Sequence, residues 1–332
     1  METHIFKIDP WKIIEVGWNR DKIKDSESIF SIGNGAMGQR ANFEEDFSGK
    51  SLQGSYIGGI YYPDKTKVGW WKNGYPEYFA KVINAPSWIG ISIFIDSIPL
   101  DLNKVDRVEK FERILDMKNG LYERRISLKM KDDLNVEINS KRFISMKRKS
   151  VGAISYKIRC NRDVKISMSP YINFDVSNDD SNWDEKFWET KEKINTKNKS
   201  LVKSKVKKTG FKVITYMKAD LYDNNVKLEK PFIAKSNSKK TLLESKYSLK
   251  KGHTLKVVKF GGYVTSECNK WNKIENKTNK ILSYLENASF ESLYQEHKLE
   301  WAKIWTQSDI KISGDNKSQQ ALRFNIFQLN QT

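Results

Sequence analysis

Cysteine is almost absent. Cys160 and Cys268 are the only two in 332 residues, too few for a disulfide framework, and both read as free buried thiols in a reducing cytoplasm. Long apolar runs are missing as well: no stretch reaches the 18 or more apolar residues of a membrane-crossing helix. The opening METHIFKIDPWKII carries an acid at position 2 and no apolar h-region, so it does not read as a signal peptide. In such a setting Asn-x-Ser/Thr triplets such as Asn276-Lys277-Thr278 carry no glycan. Histidine is scarce, and His4, His253 and His297 lie far apart with no cysteine at ligand spacing; no metal site is expected.

The net charge of +18 raises the question of a nucleic-acid partner. The lysines are spread among Asn and Ile, and the densest run, Lys193 to Lys208, alternates Lys with Asn, Ser, Thr and Val, as a solvated strand face or loop does. Arginine, the residue that reads phosphates and bases bidentately, is a minority of the basic residues. A solvated basic surface is the better account, and neither nucleic acid nor membrane is expected as a partner.

What is present is a β pattern followed by a helical one, in a chain whose 38% hydrophobic content suffices for a large core. Residues 1–88 are rich in Gly and aromatics and predict strands mixed with long loops. From about 90 to 265 the alternation is that of strands. Ile89–Ile95 alternates apolar with smaller residues, and Leu121–Met130 and Leu134–Ile138 form a hairpin across Lys131-Asp132-Asp133. Further strands are predicted at Ala153–Ile158, Val164–Met168, Lys212–Met217, Lys227-Leu228 and Thr254–Phe260, broken every 8 to 15 positions, as in a sandwich. Near 266 the apolar spacing turns helical, over Asn269–Asn287 and Phe290–Trp305, with Asn287-Ala288-Ser289 between them able to cap the second helix. After the extended Ile310–Asp315 a last helix opens near Asp315 or Asn316. Its apolar residues Leu322, Ile326, Phe327 and Leu329 are expected to need a partner outside the chain, which therefore reads as incomplete.

Local chemistry is sparse. Ser181-Asn182-Trp183-Asp184-Glu185-Lys186-Phe187-Trp188-Glu189 interleaves acids with aromatics, as sugar sites do, but reads better as a loop packed on the sandwich. Glu44, Glu45 and Asp46 read as structural or interface residues. Gly33-Asn34-Gly35 with Gly38 lacks the Lys-Ser/Thr of a phosphate loop and reads as a tight turn. The loop Trp70-Trp71-Lys72-Asn73-Gly74-Tyr75 offers flat rings suited to glucose faces, or equally to a subunit interface, which is favoured.

Four segments together resemble glycoside hydrolase family 65. They are Ile8-Asp9-Pro10-Trp11-Lys12 with Ser28 to Glu45, containing Gly33-Asn34-Gly35, Gly38-Gln39-Arg40 and Asn42-Phe43-Glu44-Glu45; Ser51 to Ile60 with Tyr62-Pro63-Asp64-Lys65; Val68 to Phe79 with Asn84-Ala85-Pro86-Ser87; and Trp305 to Ile310 with Gln319 to Phe327. The aromatic third segment is similar to the branch acting on maltose. The resemblance implies a mainly β fold: an N-terminal antiparallel β-sandwich over 1–265, a helical linker over 266–312, and over 313–332 the start of a catalytic (α/α)6 barrel. It implies inverting phosphorolysis of a disaccharide such as maltose, giving β-glucose 1-phosphate, with inorganic phosphate as co-substrate and no cofactor, in a cytoplasmic homodimer.

On that resemblance the catalytic acid and the phosphate site lie beyond position 332, and the chain alone is expected to be inactive. Trp70, Trp71, Lys72, Asn73 and Tyr75 become candidates for the substrate entrance or a subunit interface, and Asn34, Arg40, Arg323 and Asn325 candidates for the domain interface. Kojibiose, trehalose and nigerose remain alternative substrates. A free carbohydrate-binding module and a purely structural or dimerisation domain are readings from other classes. One proton donor suffices for such a reaction because phosphate, already an anionic nucleophile, replaces the water and base of an inverting hydrolase.

Overall fold

The computed structural model describes residues 4–67, 74–181, 185–229, 231–266 and 268–331. An 11-stranded antiparallel sheet runs in the order Ile5–Asp9, Lys12–Val16, Arg107–Asp116, Leu121–Met130, Leu134–Ile144, Gly152–Cys160, Thr254–Val264, Lys212–Asp223, Lys199–Val206 and Trp188–Thr196, with Val226–Lys227 paired to Lys212–Asp223. A second sheet orders Ile233–Ser236, Lys240–Leu249, Val164–Asn173, Ile91–Ile95 and Ile98–Pro99. Two small sheets, Ile32–Gly33 with Met37–Gln39 and Ser55–Ile57, and Tyr61–Lys65 with Tyr78–Val82, complete the β part.

The two large sheets share one core. Ile126, Leu128, Val136, Ile138 and Ile158 on the first meet Ile93, Ile166, Met168 and Leu243 on the second, all buried. At one end the large sheet is covered on its other face too. Phe143, Ala153, Ile214, Tyr216, Val258 and Phe260 pack there under Ile274, Leu282, Leu285, Phe290 and Leu293 of two helices. Burial on both faces explains why Lys212–Asp223 and Thr254–Val264 are nearly continuously buried, while the one-sided strand Lys199–Val206 alternates. Gly152 and Gly261 face each other across two neighbouring strands, and a Cβ on either would come within 2.5 Å of the fully buried Trp88 ring; the missing side chains are the slot that ring occupies.

Four α-helices are described: α1 (Ile23–Ile29), α2 (Trp271–Leu285), α3 (Phe290–Ser308) and α4 (Asn316–Asn330). Ser289 caps α3 through a reciprocal pair of hydrogen bonds with Ser292, and the Asp315 carboxylate caps α4 through the amides of Lys317 and Ser318. No helix among the described residues is long and apolar enough to cross a membrane. The predicted helices thus form close to their expected positions; of the two cysteines expected to be buried, Cys160 is, whereas Cys268, just ahead of α2, is exposed. The expectation for α4's apolar face needs correcting: Phe327 is buried within this chain, together with Arg323 and Gln319 one turn and two turns before it, while Leu329 is 76% exposed. The face that docks is Gln319–Arg323–Phe327, because its polar members find partners within this chain: Gln319 on the backbone of Ile310 and Ile312, and Arg323 on Asp309 and the Pro10 carbonyl.

Candidate functional site

The segment Gly33 to Asp46 is held from beneath by buried ion pairs. Arg113, Arg124 and Arg142 stand on three adjacent strands; Arg113 lies opposite Arg124, and Arg124 opposite Ser140. All three point inward and are fully buried. Arg113 pairs with Glu15 at 3.1 Å, Arg124 with Glu44 at 2.7 Å and Glu45 at 2.5 Å, and Arg142 with Glu44 at 3.1 Å. Three cations thus face three carboxylates, and the Phe43 ring lies 5.1 Å from the Arg113 guanidinium and 4.6 Å from that of Arg124. Arg142 also donates to the carbonyls of Arg40 and Asn42. Burial pushes the Glu44 carboxyl up, but Arg142 and Arg124 together hold it below the usual carboxylate range, so it carries no proton to donate at neutral pH. The reading of Glu44 and Glu45 as structural rests on this geometry. Asp46, at the edge, accepts from Ser92 and Tyr171.

So anchored, the Gly33-Asn34-Gly35 turn meets the end of α4. The Asn34 side-chain oxygen accepts from the amides of Ala36 and Met37, each at 3.0 Å, while its NH2 donates to the carbonyls of Ser145 (2.7 Å) and Lys149 (3.1 Å). The Gly33 amide donates to the Gln331 side chain at 2.8 Å and the Gly35 amide to the Gln331 carbonyl at 2.9 Å. Halfway along α4, Arg323 grips Asp309 with two bonds of 2.7 and 2.9 Å, donates to the Pro10 carbonyl, and lies 3.7 Å above the Trp11 ring. Gln320 donates to the carbonyls of Lys7 and Lys12. Between them Trp301 of α3 stacks on Phe327 with ring centres 4.6 Å apart, and Trp305 donates to the Met117 carbonyl.

His297 completes the seam. Its Nδ1 accepts from the Met146 amide at 3.1 Å, so its Nε2–H donates to the Gly120 carbonyl at 3.0 Å: a neutral ring with one fixed tautomer. Burial pushes its pKa down to about 4. Gly120 has φ +62°, and a Cβ there would stand 2.0 Å from the Trp301 indole nitrogen and 2.5 Å from His297 Nε2. Gly120→Ala is expected to cost roughly 1–3 kcal/mol by overpacking this contact and straining the backbone. Chemical denaturation checks it, and a loss below about 0.5 kcal/mol would mean that α3 yields freely.

The expected interface residues divide. Asn34 and Arg323 lie in the seam. Arg40 instead braces its own loop, donating to the carbonyls of Leu52 (3.0 Å) and Lys24 (2.8 Å), and Asn325 is exposed on the other side of α4. Trp70, Trp71, Lys72 and Asn73 lie outside the described residues, as do Asn182, Trp183 and Asp184. Tyr75 is exposed beyond the strand pair Tyr61–Lys65 and Tyr78–Val82. Phe187 and Trp188 are buried, and Glu185 accepts from the Tyr62 hydroxyl, so the described part of that acid–aromatic segment packs on the sandwich. Sequence reasoning missed His297, Gly120 and Gln331. Only the lone histidine on an otherwise apolar helix face was a usable signal. Among the described residues no group of three or more His, Cys, Asp and Glu side chains is arranged to hold a metal ion.

A family model described as glycosyl hydrolase family 65, N-terminal domain, matches residues 13–304. The chain is 36% identical to the maltose phosphorylase of Bacillus subtilis strain 168, over 99% of this chain and 43% of that protein. It is 28% identical to the alpha,alpha-trehalose phosphorylase of Thermoanaerobacter brockii, over 99% of this chain and 43% of that one. In structure it is similar to a putative kojibiose phosphorylase from the human microbiome, with a TM-score of 0.88 and 25% identity over 99% of this chain and 42% of that one. It therefore spans about two fifths of the length of the relatives it matches. The antiparallel sandwich, the helices docked on it and the match over residues 13–304 together identify the chain as a member of glycosyl hydrolase family 65, bearing that family's N-terminal domain.

Proposed function

We propose that this chain is the sandwich-and-linker part of a disaccharide phosphorylase acting on maltose and inorganic phosphate, and that it seats the first helix of a catalytic barrel. The observation that carries the reading is the 36% identity to a maltose phosphorylase across essentially the whole chain, against 28% to a trehalose phosphorylase at the same coverage. The seam supports the structural role, since hydrogen bonds to the sandwich hold α4 near its start at Gln320, at its middle at Arg323 and at its end at Gln331. The state of Glu44 supports placing the proton donor elsewhere: a carboxylate pinned by two arginines cannot protonate a leaving oxygen. In this reading the donor and the phosphate cradle are carried by polypeptide beyond α4, no cofactor is used, and the protein works in the cytoplasm as a homodimer to which the Trp70–Tyr75 loop contributes.

The test is an assay of the intact gene product beside the 332-residue chain, each with phosphate and one of maltose, trehalose, kojibiose or nigerose. The intact product is expected to release β-glucose 1-phosphate from maltose in preference to the others, and the short chain to release none. Preference for another disaccharide would overturn the substrate assignment, and turnover by the short chain would overturn the placement of the proton donor. Light scattering of the intact product over a dilution series reads the dimer; a monomer at all concentrations would remove that part of the proposal.

A further inference from the structure

Away from the seam, a cleft of about 770 Å3 opens beside the strand Arg107–Asp116, a size within the range of about 300–1,000 Å3 typical of small-ligand sites. Its floor is apolar: Trp18, Val108 and Phe111 line it. The Trp18 ring packs against Phe111 at 4.9 Å and against Phe43 and Phe47 at 6.1 and 6.2 Å, and its buried N–H has no hydrogen-bond partner, so ring packing alone sets its position. Such a ring is a rigid platform. The rim is charged, formed by Arg20, Asp106, Arg107 and Glu109.

Two features set this rim apart. Among the described residues none of its four side chains makes a hydrogen bond or ion pair, in a chain where charged side chains are extensively paired. Glu109 is also the odd residue of a β-bulge: the pairing of Arg107–Asp116 with Leu121–Met130 shifts between Val108 and Lys110, leaving Glu109 without a cross-strand partner. Bulges re-aim side chains at functional edges. Two guanidinium groups balance two carboxylates, so the rim is neutral overall although the chain carries +18. A site for phosphate or a polyanion needs a cationic excess; a neutral rim of donors and acceptors above an indole floor matches a ligand with an apolar face and hydroxyls at its edge.

We propose that this cleft is a non-catalytic binding site for a neutral oligosaccharide, with Trp18 as the stacking platform and Arg20, Asp106, Arg107 and Glu109 bonding the hydroxyls. It shares no residue with the α4 seam and does not depend on the phosphorolysis reading.

Maltotriose and, separately, inorganic phosphate would be titrated calorimetrically into the chain and into an Asp106→Ala/Arg107→Ala double variant. Both positions are exposed and partner-free, so the fold should survive, which an unchanged thermal midpoint verifies. Maltotriose is expected to bind the wild-type chain with millimolar affinity and the double variant at least about tenfold more weakly, with no heat from phosphate. Should the double variant unfold, Arg20→Ala carries the same comparison. Absence of maltotriose binding, binding indifferent to the rim substitutions, or a phosphate signal that those substitutions abolish would each overturn the proposal.

Discussion

Arg124→Ala is expected to cost roughly 3–5 kcal/mol of folding stability, a large share of the roughly 5–15 kcal/mol typical of a folded domain. The substitution leaves Glu44 and Glu45 buried with no solvent and with their principal cation gone. Arg142 still faces Glu44, but Glu45 takes both of its ion-pair hydrogen bonds among the described residues from Arg124. Arg125, the next residue on the strand, supplies the control. Its side chain is about half exposed and pairs with Glu123 and Glu112 at the surface, so Arg125→Ala should cost about 1 kcal/mol or less. Urea denaturation of the two variants beside the wild type reads both. A similar small loss for the two would mean that water enters to solvate the carboxylates and that the buried ion pairs do not hold the Gly33–Asp46 segment.

Stability is also expected to fall by about 3 kcal/mol between pH 6.5 and pH 4 on account of His297 alone. The native pKa of about 4 lies below the ordinary 6.5. Above pH 6.5 the ring is neutral in both states and the seam is intact. Below it the unfolded chain takes up a proton that the folded one refuses, so each pH unit costs about 1.4 kcal/mol until pH 4, where the loss levels off. The amide of Met146 enforces the refusal, since a protonated Nδ1 would point a hydrogen at an N–H. Carboxylates add their own acid dependence, so the informative quantity is the difference from His297→Gln, whose pH profile should lack this component. Coincident slopes for the two proteins between pH 6.5 and 4 would exclude His297 as its source.

The parts of the fold that could be read from the sequence are those where burial is one-sided. The hairpin Leu121–Met130 with Leu134–Ile144 and the three helices from Trp271 onward carry periodic apolar residues and recognisable caps at Ser289 and Asp315. Lys199–Val206 was ambiguous for a specific reason. Its inward positions are Ser200, Val202, Ser204 and Val206, so half of the buried face is hydroxyl and the alternation in hydrophobicity is faint. Trp188–Thr196 is an edge strand with little buried beyond Trp188, and charge on its open face hides it. The ion pairs were illegible for a different reason. Arginine in a strand ordinarily signals the solvent side, and what reverses that here is Glu44 and Glu45, some eighty positions earlier in the chain. The role of Gln331 depends likewise on two amides nearly three hundred residues away.

The large sheet has a timetable. From Ile5 to Cys160 its strands pair with near neighbours in the order in which they leave the ribosome, except for one step across the sandwich, from Lys12–Val16 to Arg107–Asp116. Then Gly152–Cys160 must wait for Thr254–Val264, and only that late strand links the first half of the sheet to Lys212–Asp223. Roughly 90 residues intervene, which at about 5–20 residues per second leaves an open apolar edge for roughly 5–20 s in every round of synthesis. Trp88 faces the same delay, because half of the glycine slot that receives it belongs to Gly261. In the newborn chain, then, the interval most exposed to mispairing with another copy falls late, between the emergence of Cys160 and that of Val264.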